Sequence, residues 1–229
     1  MSNFNKRKGD KGMIKAILMD YTGTILQQTG PEIEKMIYRV TKYSDFASVN
    51  EAMKFWFTNL EKYERDCVDE KFLTQDELCL TLLKICQEKY NLKDDIEFLH
   101  QLNQGLWKNG PFYDDVVPFF SACKLPIYII TNNGITYAEE NFRKNNVNPA
   151  GIISAEDVRA YKPHPAIFCC ALKKASCNAD EVVHIGDSYS ADYLGARKCG
   201  IRSVLIDRNG KDTHDCKKIT DLRDILDLI

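Results

Sequence analysis

Two kinds of apolar spacing divide the chain into regions of different predicted structure. An aliphatic run at residues 14–19, IKAILM, stops abruptly at an aspartate, which is typical of a buried strand. From about residue 28 to residue 110, apolar side chains instead recur every three or four positions, as at Ile33, Met36 and Val40. Four amphipathic segments of this kind follow one another with no strand pattern between them, and they predict an all-helical unit.

From residue 112 onward, short apolar runs alternate with segments of helical periodicity. This alternation predicts a doubly wound parallel sheet with helices on its faces. The predicted strands are PIYII at 126–130, GIIS at 151–154, VVHI at 182–185 and SVLID at 203–207, which closes the series, and the predicted helices cover 114–123, 135–145, 163–176 and 190–199.

A Gly-Pro pair stands on each side of the helical unit, at residues 30–31 and again at residues 110–111. Gly-Pro pairs interrupt secondary structure, and two of them around a change of pattern indicate where an inserted domain leaves and rejoins its host. The polar, basic and non-periodic N-terminus predicts a disordered tail. The predicted organisation is a tail at residues 1–12, a Rossmann-like α/β core domain at 13–27 and 111–229, and an inserted all-helical domain at 28–110.

Composition narrows the classes of protein to consider. The chain has 229 residues, with 31 Lys and Arg against 33 Asp and Glu, and its formal net charge of −2 argues against nucleic-acid binding through a general basic surface. No run approaches the roughly 18–20 apolar residues of a membrane-spanning helix. The nine cysteines are an odd number without a Cys-x-x-Cys pair, and no signal peptide is recognisable. We therefore expect reduced thiols in a cytoplasmic protein.

Polar residues that could carry chemistry follow the predicted strands or precede a predicted helix. Asp20 follows the first strand, Thr131 the second and Asp187 the VVHI strand, whereas Lys162 precedes a helix. In open parallel sheets, ligands bind outside the carboxyl ends of the strands, so we expect these four side chains to share one site.

These residue types suit phosphoryl transfer. A carboxylate and a phosphate dianion repel each other, and Mg²⁺ held by oxygen ligands such as Asp20 and Asp187 reduces that repulsion. The Thr131 hydroxyl and the amides of the following helix suit a phosphoryl oxygen, and Lys162 adds a compact positive charge. The set fits attack by Asp20 on phosphorus, followed by hydrolysis of the acyl phosphate.

Four motifs together resemble those of the haloacid dehalogenase (HAD) superfamily, in the form that carries a helical cap between the first two motifs. They read DYTGT, ITNN, YKPHP and HIGDSYSAD in this chain. The resemblance implies that Asp20 is the nucleophile and that residues 28–110 form a mobile cap over a phosphorylated substrate. It further implies Mg²⁺ binding by Asp20, the Thr22 carbonyl and Asp187, phosphate binding by Tyr21, Thr131, Asn132 and Lys162, and support of the metal ligands by Ser188 and Asp192.

One position departs from the usual phosphatase pattern. The residue two places after the nucleophile is usually a second Asp that acts as general acid, but here it is Thr22. A hydroxyl group cannot replace that acid near neutral pH, and loss of general acid–base help typically costs on the order of 10²–10⁴ in rate. The enzyme is therefore expected to be slow on alcohol phosphates or to favour good leaving groups.

Several alternatives and details stay open at this level. The alternatives are a non-catalytic or regulatory phosphate-binding protein, a 2-haloacid dehalogenase and a phosphonate-cleaving relative, although dehalogenases lack the acidic pair represented here by Asp187 and Asp192. The charged run at 61–77 is interpreted as a solvated surface of the helical domain. Sugar phosphates, nucleoside monophosphates and phosphoglycolate are all compatible substrates, and the oligomeric state is not readable.

Overall fold

The computed structural model describes residues 13–229, so the predicted tail at residues 1–12 lies outside the described region. Within that region the core is a six-stranded parallel sheet with the strand order β3-β2-β1-β4-β5-β6. The chain enters at the centre, winds to one edge and then to the other, which confirms the doubly wound α/β prediction. The strands are β1 Ala16–Asp20, β2 Ile127–Thr131, β3 Gly151–Ser154, β4 Val182–Gly186, β5 Arg202–Ile206 and β6 Lys218–Ile219.

Strand β1 is buried along its whole length, as a central strand covered on both faces must be. Its last residue, Asp20, pairs in register with Ile130 of β2, and Met19 pairs with Ile185 of β4. The carboxyl ends of the three central strands therefore stop at nearly the same level. This register brings the residues that follow each strand to one edge of the sheet.

A helix lies in each segment where the periodic pattern predicts one, with differences at some boundaries, and a further four-residue helix at Ala155–Val158 was not predicted. The helix predicted at 163–176 begins only at Pro165, since proline is well tolerated in a first helical turn and His164 caps it. The helix predicted at 190–199 is split into a π-helical turn, Tyr189–Leu194, and a short α-helix. The α-helices are α1 Pro31–Lys42, α2 Val49–Asp66, α3 Gln75–Tyr90, α4 Ile96–Asn109, α5 Val116–Ala122, α6 Ile135–Lys144, α7 Ala155–Val158, α8 Pro165–Ala175 and α9 Gly195–Lys198.

The sheet continues beyond the strand that was expected to close it. A two-residue strand, β6, pairs in parallel with β5 and is followed by a 3-10 helix at Leu222–Asp227. Two residues are too few to produce a recognisable alternation, so the sequence pattern could not predict this element.

Helices α1–α4 lie between β1 and β2 in the chain, and we call residues 31–109 the inserted helical unit. They pack around a cluster of buried apolar side chains of their own, which includes Met36, Val40, Leu83 and Leu99. Helix α3 begins at a capping box in which Thr74 and Glu77 exchange side-chain and backbone hydrogen bonds.

Polar contacts fix the inserted helical unit against the core. The Tyr137 hydroxyl on α6 donates to the Asp76 carboxylate at 2.6 Å, while Nε2 of His100 lies 2.8 Å from the same carboxylate. Nε2 of Gln104 donates to it at 3.0 Å. At a second place, the Tyr161 hydroxyl donates to the Leu73 carbonyl at 2.7 Å. The unit is thus held over the carboxyl edge of the sheet.

Two further expectations concern membranes and disulfides. No helix within residues 13–229 is both long enough and apolar enough to cross a membrane. All nine cysteines are unpaired thiols.

The Asp76 contacts predict a pH-dependent contribution to stability. Burial opposes ionisation, but hydrogen bonds from His100, Gln104 and Tyr137 outweigh it and lower the Asp76 pKa from 3.8 to about 2. Because this pKa is lower in the folded state, the carboxylate stabilises the protein above about pH 4, and the contribution is lost as the pH falls toward 2. Asp76→Asn should lower the free energy of unfolding at pH 7 by about 1–2 kcal/mol.

Urea denaturation at pH 7 and at pH 3 measures this effect, with Glu88→Gln on the exposed face of the same helix as the control. The difference between Asp76→Asn and the wild type should shrink at pH 3. An equal difference at both pH values would contradict the assigned role of the carboxylate.

Candidate active site

Three of the four side chains expected to share one site, Asp20, Asp187 and Lys162, line one cavity, whereas Thr131 is fully buried and does not line it. Asp20 ends β1, Asp187 follows β4, Asn132 follows β2, and Lys162 reaches in from the loop before α8. The cavity has a volume of about 660 Å³ and lies between these residues and helices α1–α4 of the inserted helical unit. The site is therefore shared between the core and the unit.

A buried ammonium group connects two carboxylates at the floor of the cavity. Nζ of Lys162 lies 2.5 Å from Oδ1 of Asp20 and 2.7 Å from Oδ1 of Asp192, and all three side chains are buried. Burial disfavours the charged lysine, but the negative charges of Asp192 and Asp20 outweigh it and raise the Lys162 pKa above its usual value. The lysine is a fixed cation at every physiological pH.

Asp192, which accepts a hydrogen bond from Lys162, is itself held by two further contacts. Its Oδ1 also contacts Nε2 of His184 at 3.0 Å, and its Oδ2 accepts a hydrogen bond from the Ser188 backbone N–H at 3.1 Å. Burial opposes ionisation of Asp192, but Lys162 and His184 outweigh it and lower the pKa of this carboxyl. Asp192 therefore stays ionised, and His184, which was not predicted as a site residue, helps to keep it so.

The carboxylates of the site form a group that fits a cation. One oxygen each from Asp20, Asp187 and Asp192 lies within 4.8 Å of the others. Oδ2 of Asp20 is buried and receives no hydrogen bond from any residue of the described chain. Burial first, and then the charge of Asp192, raise the Asp20 pKa against the opposing effect of Lys162. The excess negative charge of three carboxylates this close together is what a hard divalent cation satisfies.

A glycine allows Asp187 to approach the turn that follows Asp20. Gly23 has a φ of 93°, and a Cβ there would overlap the Asp187 carboxylate. The backbone of the turn that contains Thr22 thus packs directly against that carboxylate. Partial loss of solvation, followed by the charges of Asp20 and Asp192, raises the Asp187 pKa. Asp187 is exposed toward the cavity, where a ligand can reach it.

Asn133 joins the first two motifs and was missed by the sequence reasoning. Its Oδ1 accepts hydrogen bonds from the hydroxyls of Thr22 at 2.6 Å and Thr131 at 3.3 Å. The Asn133 N–H in turn donates to the Thr131 hydroxyl at 3.0 Å. The Thr22 hydroxyl is therefore a donor to an amide oxygen, and both threonines have fixed orientations.

Asn132 is positioned by the loop that carries the lysine. Its Oδ1 accepts a hydrogen bond from the Lys162 backbone N–H at 3.0 Å. This contact leaves the side-chain amide NH₂ of Asn132 directed elsewhere, and it interacts with Glu64 of the inserted helical unit. Asn132 thus links the second motif, the lysine loop and helix α2.

The Tyr21 side chain lies outside the cavity, so the predicted phosphate contact of this residue stays a prediction for its backbone alone. This side chain is fully buried, its hydroxyl donates to the Trp107 carbonyl at 3.0 Å, and it accepts from Nδ2 of Asn141 at 2.9 Å. Successive side chains along an extended segment point to opposite sides, so the residue after Asp20 points away from the cavity. Only the backbone of Tyr21 remains beside Asp20.

The inserted helical unit supplies a mostly apolar wall with a few charged groups. The wall includes Trp56, Phe57 and Leu60 of α2. Glu61 and Glu64 also line the cavity, which corrects the interpretation of residues 61–77 as a uniformly solvated surface. The helical period places residues 57, 60, 61 and 64 on one face, but it could not show that this face meets the sheet edge.

Comparison with known proteins agrees with this architecture. The model of the haloacid dehalogenase-like hydrolase family matches residues 14–200, and the chain therefore belongs to that family.

Similar proteins differ in how much of the chain they match. Haloacid dehalogenase-like hydrolase domain-containing protein 3 of Danio rerio is 48% identical over 64 residues, which cover 28% of this chain and 26% of that protein. Phospholysine phosphohistidine inorganic pyrophosphate phosphatase of Xenopus laevis is 34% identical over 91 residues, 38% of this chain and 33% of that protein. The matches thus span about a quarter to a third of these relatives.

Structural similarity extends over nearly the whole chain. YfnB of Bacillus subtilis, described as a HAD-hydrolase and solved with bound magnesium, has a TM-score of 0.76 at 18% identity. The match covers 94% of this chain and 98% of YfnB. At this identity the similarity supports the fold alone.

The Tyr21 contacts generate a prediction about stability. Tyr21→Phe removes the donor to the Trp107 carbonyl and should lower the free energy of unfolding by about 1–2 kcal/mol. The affinity for inorganic phosphate should not change, because the phenol is outside the cavity. Urea denaturation and phosphate titration measure both quantities, with Tyr38→Phe, at a residue 57% exposed, as the control. A large loss of phosphate affinity would show that the Tyr21 side chain does contribute to phosphate binding.

Proposed function

We propose that the protein is a Mg²⁺-dependent phosphatase that acts on a small phosphorylated metabolite through an aspartyl-phosphate on Asp20. The observation that carries the proposal is the buried, unpartnered Oδ2 of Asp20, next to Lys162 and opposite an open cavity. A phosphatase among the similar proteins supports the same reaction class.

Three groups would hold the metal ion. They are the carboxylates of Asp20 and Asp187 and the backbone carbonyl of Thr22, whose turn packs against Asp187. Bound Mg²⁺ would offset the repulsion between the nucleophile and the phosphate.

The chain's own residues bind and orient the phosphoryl group. The Lys162 ammonium, kept in place by Asp192, binds phosphoryl oxygens beside the nucleophile. Thr131, Asn132 and the amides at the start of α6 complete that pocket. Ser188 and Asp192 support the metal ligands from behind. Oδ2 of Asp20 then attacks phosphorus without first losing a hydrogen-bond partner.

The inserted helical unit is proposed to be the cap that selects the substrate, with domain boundaries at residues 28 and 110. Its wall of Trp56, Phe57 and Leu60 favours a phosphate ester whose organic part has an apolar or aromatic face. A fully hydroxylated sugar would leave polar groups against this wall unpaired.

Thr22 provides no acid next to the nucleophile. Its hydroxyl donates to Asn133 and has no readily lost proton near neutral pH. The leaving group must therefore either need no proton or obtain one from another part of the cavity.

The three-carboxylate group disfavours one alternative, the 2-haloacid dehalogenase. A haloacid dehalogenase has no use for the acidic pair, yet Asp187 and Asp192 are both directed into this site. A phosphate-binding protein without catalysis would bind Mg²⁺ and phosphate but release no product, and it is an outcome of the following test.

A panel of phosphometabolites and aryl phosphates, assayed with Mg²⁺ and with EDTA, tests the proposed function. Phosphate release should require Mg²⁺, and Asp20→Asn should reduce it by at least on the order of 10³-fold because the nucleophile is lost. Asp45→Asn, at an exposed position far from the cavity, is the control. Mg²⁺ binding without any phosphate release would favour the binding protein, and halide release from 2-haloacids would favour the dehalogenase.

The Thr22 interpretation has a test of its own. Thr22→Asp should increase kcat/KM for an alkyl phosphate relative to an aryl phosphate, by about 10²–10⁴ if no other group of the cavity supplies the proton and by much less if one does. The control is Thr22→Ser, which keeps a hydroxyl and should not alter the ratio. If Thr22→Asp hydrolyses alkyl phosphates no faster than the wild type does, Thr22 is not what limits them.

A further inference from the structure

Glu64 occupies a distinctive place on the wall of the cavity. It lies in the last turns of α2 and lines the cavity together with Asp20, Thr22, Asn132 and Lys162. These four belong to the core, whereas Glu64 faces them from the inserted helical unit. It is thus a carboxyl group of the inserted helical unit that faces the same cavity as Asp20.

The neighbours of Glu64 can accommodate both of its protonation states. The Asn132 side chain lies near enough to favour the ionised form of Glu64, and because Oδ1 of Asn132 accepts from the Lys162 N–H, its NH₂ group is the one available to donate toward Glu64. The Gln75 side chain also bonds to Glu64, while Oε1 of Gln75 is buried and has no partner within residues 13–229. An ionised Glu64 accepts from these amides, and a protonated Glu64 can donate to the Gln75 oxygen.

The surroundings of Glu64 bring its pKa close to neutral pH. Burial raises its pKa from 4.5 to about 7, although Asn132, Lys162 and Gln75 act in the opposite direction. The other titratable groups that face it are Glu61 on its own helix, Cys79 on α3 and Tyr161 on the lysine loop. Acid and conjugate base are then both available at physiological pH, which general acid–base catalysis requires.

In-line displacement defines where an acid is needed. The attacking and leaving oxygens lie on opposite sides of phosphorus, so attack by Asp20 from the sheet edge directs the leaving oxygen toward the inserted helical unit. On the proposed phosphatase function, we propose that Glu64 is the general acid and base that Thr22 does not supply.

Glu64 transfers a proton in each of the two steps of the proposed reaction. When Oδ2 of Asp20 bonds to phosphorus, the bond to the leaving oxygen breaks, and that oxygen takes the electron pair and the Glu64 proton to become an alcohol. Water then attacks the phosphorus of the acyl phosphate and gives a proton to the Glu64 carboxylate, while the bond to Asp20 breaks and returns its electron pair to the carboxylate. The products are the alcohol and inorganic phosphate, and Glu64 is again protonated.

Glu64→Gln is the direct test, because glutamine keeps the shape and hydrogen bonds of the side chain. The value of kcat/KM for an alkyl phosphate should fall on the order of 10²-fold or more. The value for p-nitrophenyl phosphate should change much less, because its leaving phenolate needs no proton. Glu61→Gln, which removes a charge from the same wall one turn earlier, should affect both esters to a similar extent.

The pH profile separates proton transfer from a structural role. For the alkyl phosphate, wild-type kcat/KM should fall about tenfold per pH unit above about pH 7, as the acid form of Glu64 is lost. Glu64→Gln should remove this limb, and the aryl phosphate should not show it even with the wild type. The phosphate group ionises in both esters. A difference between their pH profiles of kcat/KM is therefore due to the leaving group.

A rescue experiment and the controls keep the outcomes distinct. Adding Thr22→Asp to Glu64→Gln should restore part of the alkyl phosphate activity, because it supplies an acid on the other side of the site. The proposal is wrong if Glu64→Gln reduces kcat/KM equally for both esters. It is also wrong if Glu64→Gln keeps the fall in kcat/KM above about pH 7 while its thermal unfolding is unchanged. If Asp20→Asn remains active or Mg²⁺ has no effect, the phosphatase function itself fails, whatever Glu64 does.

Discussion

Buried charge at the carboxyl edge of the sheet is the constraint to which the surrounding structure responds. Asp20 and Asp192 are removed from water, and each buried ion costs several kcal/mol unless it is paired. Lys162 forms an ion pair with both carboxylates, and His184 also contacts the Asp192 carboxylate. With Asp187 included, three carboxylates face one ammonium group, and two negative charges remain in excess when all are ionised. A divalent cation would match that excess and complement the charge of the lysine.

The backbone is shaped to permit this concentration of charge. A Cβ at Gly23 would overlap the carboxylate of Asp187, and a Cβ at Gly186 would overlap that of Asp192. Both glycines occupy turns or strand ends where two motifs meet, so the absence of a side chain lets carboxylates approach the main chain closely. The parallel register then brings these turns together. The site follows from strand pairing and two missing side chains more than from any single long-range contact.

The sequence predicted the parts of the site that strand ends determine and missed those that depend on tertiary packing. Asp20, Asp187 and Lys162 were identifiable because the carboxyl ends of parallel strands coincide in space. Glu64 was not, since helical periodicity shows which residues share a face but not which face meets the sheet. His184 lies within a buried strand and resembled a core residue. The alternation of side chains along the segment after Asp20 was a signal against a phosphate contact by the Tyr21 side chain.

The contacts that position Glu64 also involve the loop that positions Lys162. The Tyr161 hydroxyl donates to Leu73, and Arg159 donates through Nε to the Asp69 carbonyl at 2.9 Å, so residues 159–161 dock the segment between α2 and α3. The next residue in the chain is Lys162. Docking of the inserted helical unit and placement of the ammonium group therefore share one short stretch of backbone. A displacement of the unit would therefore move Glu64 and disturb the lysine loop together.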